Sequence, residues 1–197
     1  MNKHIYERIL VCRAVKNLFL YPDNTQISNI HNIINELNHR IRDLNLYEEL
    51  LRLMNELRMM IDSIDRELLI STYTSLFITN FPKTLCPPYL HIYTDSDVIK
   101  IQYDIMKTLN SLGLFVDKEF KDLPDHISLL IELYEAILYG YYNYKLDYNI
   151  VKYIFEKYIL PWRGRFSRCL SREDETKVYS LGGEILDLFI EAEESLL

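Results

Sequence analysis

The chain has 197 residues, of which 49% are hydrophobic and 26% are charged, a balance typical of a folded globular protein. Its formal net charge of −7 argues against nucleic acid as the main partner, because neutralising phosphates needs a basic surface. Five glycines and six prolines are few for this length, which favours long helices over a many-turned β fold. We therefore expect an all-α fold in which residues 1–197 form a single domain.

The motifs that the sequence lacks narrow its possible functions. Cys12, Cys86 and Cys169 are far apart and lack metal-ligand spacing, so we expect buried or incidental thiols, with neither a disulfide framework nor a metal site. The sequence shows no signal peptide, and no stretch approaches the roughly 18 apolar residues of a membrane span. No phosphate-binding loop, dinucleotide fingerprint, nucleophile elbow or zinc-protease motif occurs. The sequence thus favours a cytoplasmic binding protein without a cofactor over an enzyme.

The first part of the chain carries apolar side chains at helical spacing. A first helix should end near Tyr21-Pro22, and a second should run to about Leu44-Asn45. A regular stripe from Leu46 to Ile64 predicts a third helix. The next helix should turn its apolar side chains inward, namely Leu68, Leu69, Tyr73, Leu76 and Phe77.

The helical pattern breaks between Asn80 and Asp95, where prolines exclude the interior of a helix. This long connection is unusually apolar, and long loops are often functional. Its apolar side chains are Phe81, Leu85, Tyr89, Leu90, Ile92 and Tyr93. They should either pack on the protein or line a site.

Capping residues mark the next two helices. Residues 94–97 should cap a helix that Gly113 stops. A further helix should begin at Asp122 or Leu123, with Pro124 in its first turn and Asp125 near the positive end of the helix dipole.

Two more helices are expected near the end of the chain. One runs into Pro161, where Trp162 should act as a packing anchor, and the last begins near Arg172. The Gly182-Gly183 pair inside the last helix lowers helix propensity, so it predicts either close packing against a neighbour or a kink.

Asp125 and His126 are a neighbouring acid and imidazole at a helix start. Adjacent helical residues point about 100° apart, so this pair is not a ready-made acid–base dyad. The simpler interpretation makes Asp125 a helix cap and His126 a partly buried polar residue. Sixteen tyrosines are also many for this length, and they suit either a peptide-binding groove or a core with satisfied hydroxyls.

Part of the chain resembles a known family. Residues 72–77 and 85–93, TYTSLF and LCPPYLHIY, resemble the EYTRLF…CPPYESVY region of the TorD/DmsD/NarJ family. The chain departs from this pattern at Leu90-His91, where the family has Glu-Ser.

Two further segments follow in the same order as in the family. LPDHI at 123–127, with Glu-Leu at 132–133, resembles the LPDHL…LEF motif and is closest to the nitrate-reductase branch. YILPWRGRF at 158–166 resembles HLLPWLPRF. Here Tyr158 stands in place of a histidine, and Arg163-Gly164 in place of Leu-Pro.

The resemblance implies an all-α, TorD-like helical bundle that acts as a cytoplasmic chaperone of redox-enzyme maturation. Such proteins bind the N-terminal segment of a molybdenum-cofactor enzyme subunit, often a twin-arginine signal peptide. They hold this client until its cofactor is inserted. The partner would be a molybdoenzyme catalytic subunit or its leader peptide, and the chaperone could be a monomer or a dimer.

The resemblance also implies roles for individual residues. By position, the client-peptide groove would be lined by Tyr73, Leu76, Phe77, Pro88, Tyr89 and Tyr93, with Asp125 and His126 at its polar end. The structural residues of the motifs would be Pro124, Pro161, Trp162 and Phe166. Aromatic walls suit the apolar part of a signal peptide, and a carboxylate suits its arginines.

Two other functions stay open from the sequence. One is a helical scaffold or assembly protein without a client peptide, in which the aromatic loop is simply core. The other is a small hydrolase that uses Asp125 and His126, which would need a third polar partner and a deep pocket.

Overall fold

The computed structural model describes residues 4–40, 45–94 and 96–197. Within these ranges the regular structure is helical, with one isolated bridge between Tyr89 and His126 and no strand. The predicted all-α fold class is confirmed. The expected end of the second helix near Leu44 and a capping role for Asp95 lie outside the described residues.

The helices have the following bounds. The first described helices are α1 Ile5–Leu18, α2 Asn24–Arg40 and α3 Asn45–Ser63. Next come α4 Arg66–Tyr73, a π-helical turn Thr74–Ile78, α5 Leu90–Tyr93 and α6 Val98–Ser111. They are followed by α7 Ile127–Tyr142, α8 Tyr148–Ile154, a π-helical turn Phe155–Ile159 and a 3-10 turn Leu160–Trp162. The chain ends with α9 Arg165–Glu173 and α10 Val178–Leu196.

Helix α1 lies at the centre of the core, where it packs against α2, α7 and α10. Its middle is buried on every side from Leu10 to Cys12, as expected for a helix enclosed by others. At the surface, Glu135 of α7 accepts hydrogen bonds from Arg13 at 2.7 Å and Lys16 at 3.3 Å. These contacts add to the hydrophobic packing that joins α1 to α7.

A buried polar network links α1, α7 and α10. Arg8 Nη2 lies 2.6 Å from Glu193 Oε2, and both side chains are almost completely enclosed. Tyr134 donates its hydroxyl to the same carboxylate, and Arg8 Nη2 lies 3.1 Å from the Tyr134 hydroxyl. Because a buried charge is tolerated only when it is paired, these three residues form one interdependent unit.

The glycine pair of α10 allows α9 to approach closely. A Cβ atom on Gly183 would lie 3.0 Å from Ser167 Cα, whereas one on Gly182 would meet nothing nearer than Phe19 at 3.9 Å. Ser167 Oγ also lies 2.5 Å from Asp187 Oδ2 across the same interface. The prediction of close packing is therefore confirmed at Gly183.

Several sequence expectations are wrong. The last helix begins at Val178 rather than near Arg172. Helix α9 ends at Glu173, and the side chain of Asp174 accepts hydrogen bonds from the backbone N–H groups of Tyr179 and Ser180 in the first turn of α10. Leu68, expected to face inward, is 50% exposed.

The apolar connection after Asn80 is also less buried than expected. Phe81 is 94% exposed and does not pack on the protein, and Ile92 is 49% exposed. Leu90 and Tyr93 of the same connection are buried. The predicted break in the helical pattern is interrupted by one short helix, α5, in the second half of the connection.

Candidate functional site

Two segments that carry the family-like motifs lie side by side. The backbone N–H of Leu90 donates to the carbonyl of Asp125 at 3.0 Å, and that of Ile127 donates to the carbonyl of Pro88 at 2.9 Å. Together these bonds form the isolated antiparallel bridge between Tyr89 and His126. We call the paired segments 86–93 and 122–128 the loop junction.

The carboxylate of Asp125 is fully buried inside the loop junction. It accepts hydrogen bonds from the His91 backbone N–H at 3.2 Å and from Gln102 Nε2 at 3.0 Å, and His91 Nδ1 lies 2.5 Å away. These contacts come from the segment before α6 and from α6 itself. Asp125 therefore joins the two loops through buried contacts. A carboxylate that binds an arginine of a client would have to be exposed to solvent, and Asp125 is not.

His126, not Asp122 or Leu123, is the N-cap of α7, so the predicted start of this helix is wrong. Its Nδ1 accepts a hydrogen bond from the Ser128 backbone N–H at 3.2 Å. Burial lowers the pKa of His126, although the nearby carboxylates of Asp122 and Asp125 oppose this shift. A neutral imidazole is the form that can accept this bond, so the burial and the cap are consistent.

The sequence interpretation that made Asp125 the helix cap is wrong for the same reason. Pro124 lies in the turn before α7, and the His126 backbone N–H donates to the Leu123 carbonyl at 3.0 Å. Asp125 then faces the α5–α6 side. No hydrogen bond joins the side chains of Asp125 and His126, and each has other partners, so the pair offers no acid–base dyad for a hydrolase.

Tyr89 forms the outer layer of the loop junction. Its hydroxyl donates to Asp122 Oδ1 at 2.8 Å, its ring stacks on His91 and its edge meets His126. Burial and this hydrogen bond raise the pKa of Tyr89, so the hydroxyl remains a donor. Ile92, Asp122 and Leu123 are the exposed residues of the junction, and Tyr89 is partly exposed beside them.

The remaining aromatic residues of the predicted groove lie in the core. Those of the predicted lining that are buried are Tyr73, Leu76, Phe77, Pro88 and Tyr93. Among them, the ring of Tyr73 packs against Phe77, Phe77 packs against Phe166, and Tyr93 packs against Trp162 and Phe166, with ring centroids about 5 to 6 Å apart. These side chains lie beneath the exposed face of the loop junction, and a peptide does not reach them from solvent.

The third motif supplies part of this packing. Trp162 is fully buried and its Nε1 donates to the Tyr158 carbonyl at 3.1 Å, which confirms the prediction of a packing anchor. Pro161 lies in the first positions of the turn that carries it, and Phe166 of α9 is fully buried beside it.

A disulfide joins Cys86 of the loop junction to Cys169 of α9, with Cα atoms 5.9 Å apart. The expectation of free thiols is therefore wrong for these two cysteines. The two cysteines are 83 residues apart in the sequence, and only the tertiary fold brings them together. No local spacing could therefore have indicated this pair. Cys12 is a free, buried thiol, as expected.

A groove of about 740 Å³ runs along α7 beside the loop junction. Its apolar lining comes from α7, the end of α6 and the 114–120 connection, namely Leu109, Leu114, Phe115, Val116, Phe120, Leu129, Leu133 and Ala136. The charged residues are Asp117, Lys118, Glu119 and Glu132, an excess of acid. The ring centroids of Phe120 and His126 lie 6.3 Å apart, so the edge of the groove packs against the junction.

The sequence does not predict this groove, because residues 114–121 lie between two predicted helices and show no motif of their own. Two signals were present. Leu114, Phe115 and Val116 are consecutive apolar residues in a connection, and Phe115 is 85% exposed. Leu129, Leu133 and Ala136 repeat at helical spacing on one side of α7.

Two further properties concern the part of the chain that the structure describes. It contains no group of three histidine, cysteine, aspartate or glutamate side chains placed to hold a metal ion. None of its helices combines the length and apolar character needed to span a membrane.

Residues 43–168 match the nitrate reductase delta subunit family, a range that includes both segments of the loop junction, the groove and Trp162. The chain belongs to this family. The resemblance to the NarJ/TorD-type chaperones is thus confirmed, and the protein is a redox-enzyme maturation chaperone rather than a catalyst.

A solved structure supports the fold independently. A protein of Archaeoglobus fulgidus, assigned as a redox enzyme maturation protein, matches with a TM-score of 0.63 and 21% sequence identity, over 93% of each chain. At this identity the similarity concerns the fold alone. No curated protein matches the sequence.

Proposed function

We propose that this chaperone binds the N-terminal segment of a molybdenum-cofactor oxidoreductase subunit in the cytoplasm. It holds that segment, a twin-arginine leader where the client has one, until the cofactor has been inserted. The bound segment lies in the α7 groove and reaches the exposed side of the loop junction. The protein acts as one domain.

The observation that carries the proposal is the contact between Phe120 and His126. It joins an apolar groove of peptide size to the junction of the two family-like motifs. The groove floor from Leu129 to Ala136 extends about 10 Å at 1.5 Å per helical residue, which accommodates about two turns of an apolar helical peptide.

The charges of the groove favour a client segment with arginine or lysine beside its apolar part. The groove lining contains three acidic residues, Asp117, Glu119 and Glu132, and one basic residue, Lys118. Asp122 at the junction is partly exposed and offers a further carboxylate. Opposite charges of this kind improve the rate and specificity of association more than its final affinity.

The test is calorimetric titration with N-terminal peptides of molybdoenzyme subunits encoded beside this protein. We expect binding at micromolar or lower dissociation constant, and about tenfold weaker binding to the Phe115→Ser variant, because an exposed aromatic side chain at the groove is lost. Met59→Ser on α3 is the matched control, since Met59 is an exposed apolar residue away from the groove.

Equal weakening by Phe115→Ser and Met59→Ser would contradict the location of the groove. Replacing the arginines of the peptide should also weaken binding and reduce its dependence on salt. Failure of every such peptide to bind the folded protein would favour the helical assembly protein without a client peptide.

A further inference from the structure

The disulfide lies at the base of the loop junction, between two elements that differ in exposure. Cys86 is fully buried and is three residues before Tyr89, a partly exposed residue of the junction. Cys169 is partly exposed on α9. The disulfide therefore joins the 86–93 segment of the loop junction to helix α9.

Helix α9 holds the 86–93 segment at two points. Arg165 Nη1 donates to the Tyr93 carbonyl at 2.7 Å, and Cys169 forms the disulfide with Cys86. Arg165 and Cys169 are four residues apart, so they lie on the same face of the helix. Loss of the disulfide would remove one of these two attachments and leave the other.

The fold accommodates both the bonded and the reduced cysteines. Cys169 Sγ lies 3.3 Å from the Leu85 carbonyl oxygen, where a thiol would donate a hydrogen bond. The Cys86 backbone N–H donates to the Leu76 carbonyl at 2.8 Å, a bond that does not depend on the sulfur. The free thiol Cys12 is buried on α1 and cannot take part in exchange without unfolding.

We propose that Cys86 and Cys169 form a thiol–disulfide switch that sets how firmly the loop junction is held. Disulfides in the cytoplasm are usually transient or redox-sensing, because reductants keep most thiols reduced there. The effect of the switch on client affinity rests on the proposed function. The bonded form presents a preorganised junction, and the reduced form must order its 79–89 loop on binding.

The chemistry is exchange with a protein dithiol. A thiolate of the reductant attacks the more exposed Cys169 sulfur, the disulfide breaks, and Cys86 leaves as a thiolate that takes up a proton. The second thiol of the reductant then displaces Cys169. The products are two thiols on this chain and one disulfide on the reductant, a transfer of two electrons and two protons. A disulfide-bearing oxidant reverses the reaction.

The test compares the full chain after treatment with oxidised glutathione and after treatment with dithiothreitol. Alkylation in denaturant followed by intact mass should count one free thiol in the oxidised form and three in the reduced form, since the chain has three cysteines. Hydrogen exchange of residues 79–93 should be slower in the oxidised form. Cys169→Ser should exchange like the reduced form in both conditions, and Cys12→Ser should respond like the wild type.

Three alkylated thiols in both conditions, or equal exchange of 79–93 in both forms, would overturn the switch. Should Cys169→Ser fail to fold, the reduced wild-type chain supplies the same comparison. Client peptide should bind the oxidised form about three- to tenfold more tightly. Equal affinity would overturn the link to the client, and absence of binding to either form, with a clear exchange difference, would overturn the proposed function while the covalent switch stands.

Discussion

His91 Nδ1 lies 2.5 Å from the carboxylate of Asp125, and this contact joins two loops that are 34 residues apart in the sequence. The backbone N–H of His91 donates to the same oxygen at 3.2 Å, so His91 contributes both side chain and main chain. Because His91 stands where the family pattern has a serine, this side-chain contact is a feature of this chain. It explains why a fully buried aspartate is tolerated beside the candidate site.

Replacing Asp125 should therefore act mainly on stability. We expect Asp125→Ala to lower the free energy of unfolding by about 3 kcal/mol, because it leaves His91 and Gln102 without their buried acceptor. The measurement is urea denaturation followed by circular dichroism. The matched control is Asp122→Ala, a partly exposed carboxylate whose loss should cost less than about 1 kcal/mol. Similar losses in both variants would contradict the role of Asp125 in joining the two loops.

The helical spacing predicted most of the fold, whereas the caps and cross-links depended on tertiary structure. Asp122, Asp125 and His126 are all residue types that can begin a helix, and the sequence does not indicate which of them meets a free backbone N–H. The chain selects His126 because the backbone bridge with the 86–93 segment turns Asp125 towards His91. The pairing of Cys86 with Cys169 likewise follows from the position of α9.

The candidate site was predicted in part for a related reason. The family-like motifs indicated residues 85–93 and 123–127 as parts of a site, and the structure pairs these two segments. However, the sequence cannot show whether aromatic residues such as Tyr73 and Tyr93 line a groove or lie in the core, because both environments favour them. Tertiary packing decides that they are buried: Tyr179 packs against Tyr73, and Trp162 and Phe166 pack against Tyr93. These contacts span distant parts of the chain.

The buried network around Arg8 gives a second stability prediction. Arg8→Met should lower the free energy of unfolding by roughly 3 to 5 kcal/mol, because Glu193 would remain buried without its cation. Adding Glu193→Leu should recover part of this loss, since the double variant buries no unpaired charge. Urea denaturation of the two single variants and the double variant forms a complete cycle. Losses that simply add would show that the two residues do not act as a unit.

His126 should make stability depend on pH. Burial lowers its pKa below the ordinary value of 6.5, so the unfolded chain binds a proton more readily than the folded chain. As the pH falls through about 6.5, the free energy of unfolding should therefore decrease, because protonation of Nδ1 also removes the helix cap. The measurement is urea denaturation between about pH 5 and 8.

The control for this pH dependence is His126→Asn, whose side-chain oxygen can still cap α7 but does not titrate. The variant should be less sensitive to pH than the wild type over the same range. Identical pH profiles for the two proteins would contradict a depressed pKa at His126, since all other titrating groups are shared.

The adjacent glycines of α10 offer a paired test of helix packing with opposite expected signs. Gly183→Ala should lower the free energy of unfolding by about 1 to 3 kcal/mol, because its Cβ would lie 3.0 Å from the Ser167 backbone, which cannot move without separating α9 from α10. Gly182→Ala should raise it by up to about 1 kcal/mol, since its Cβ has ordinary contacts at 3.9 Å and alanine favours the helix. The measurement is urea denaturation of both variants. Stabilisation by Gly183→Ala would contradict the prediction, because it would show that α9 and α10 can move apart enough to accept the added Cβ.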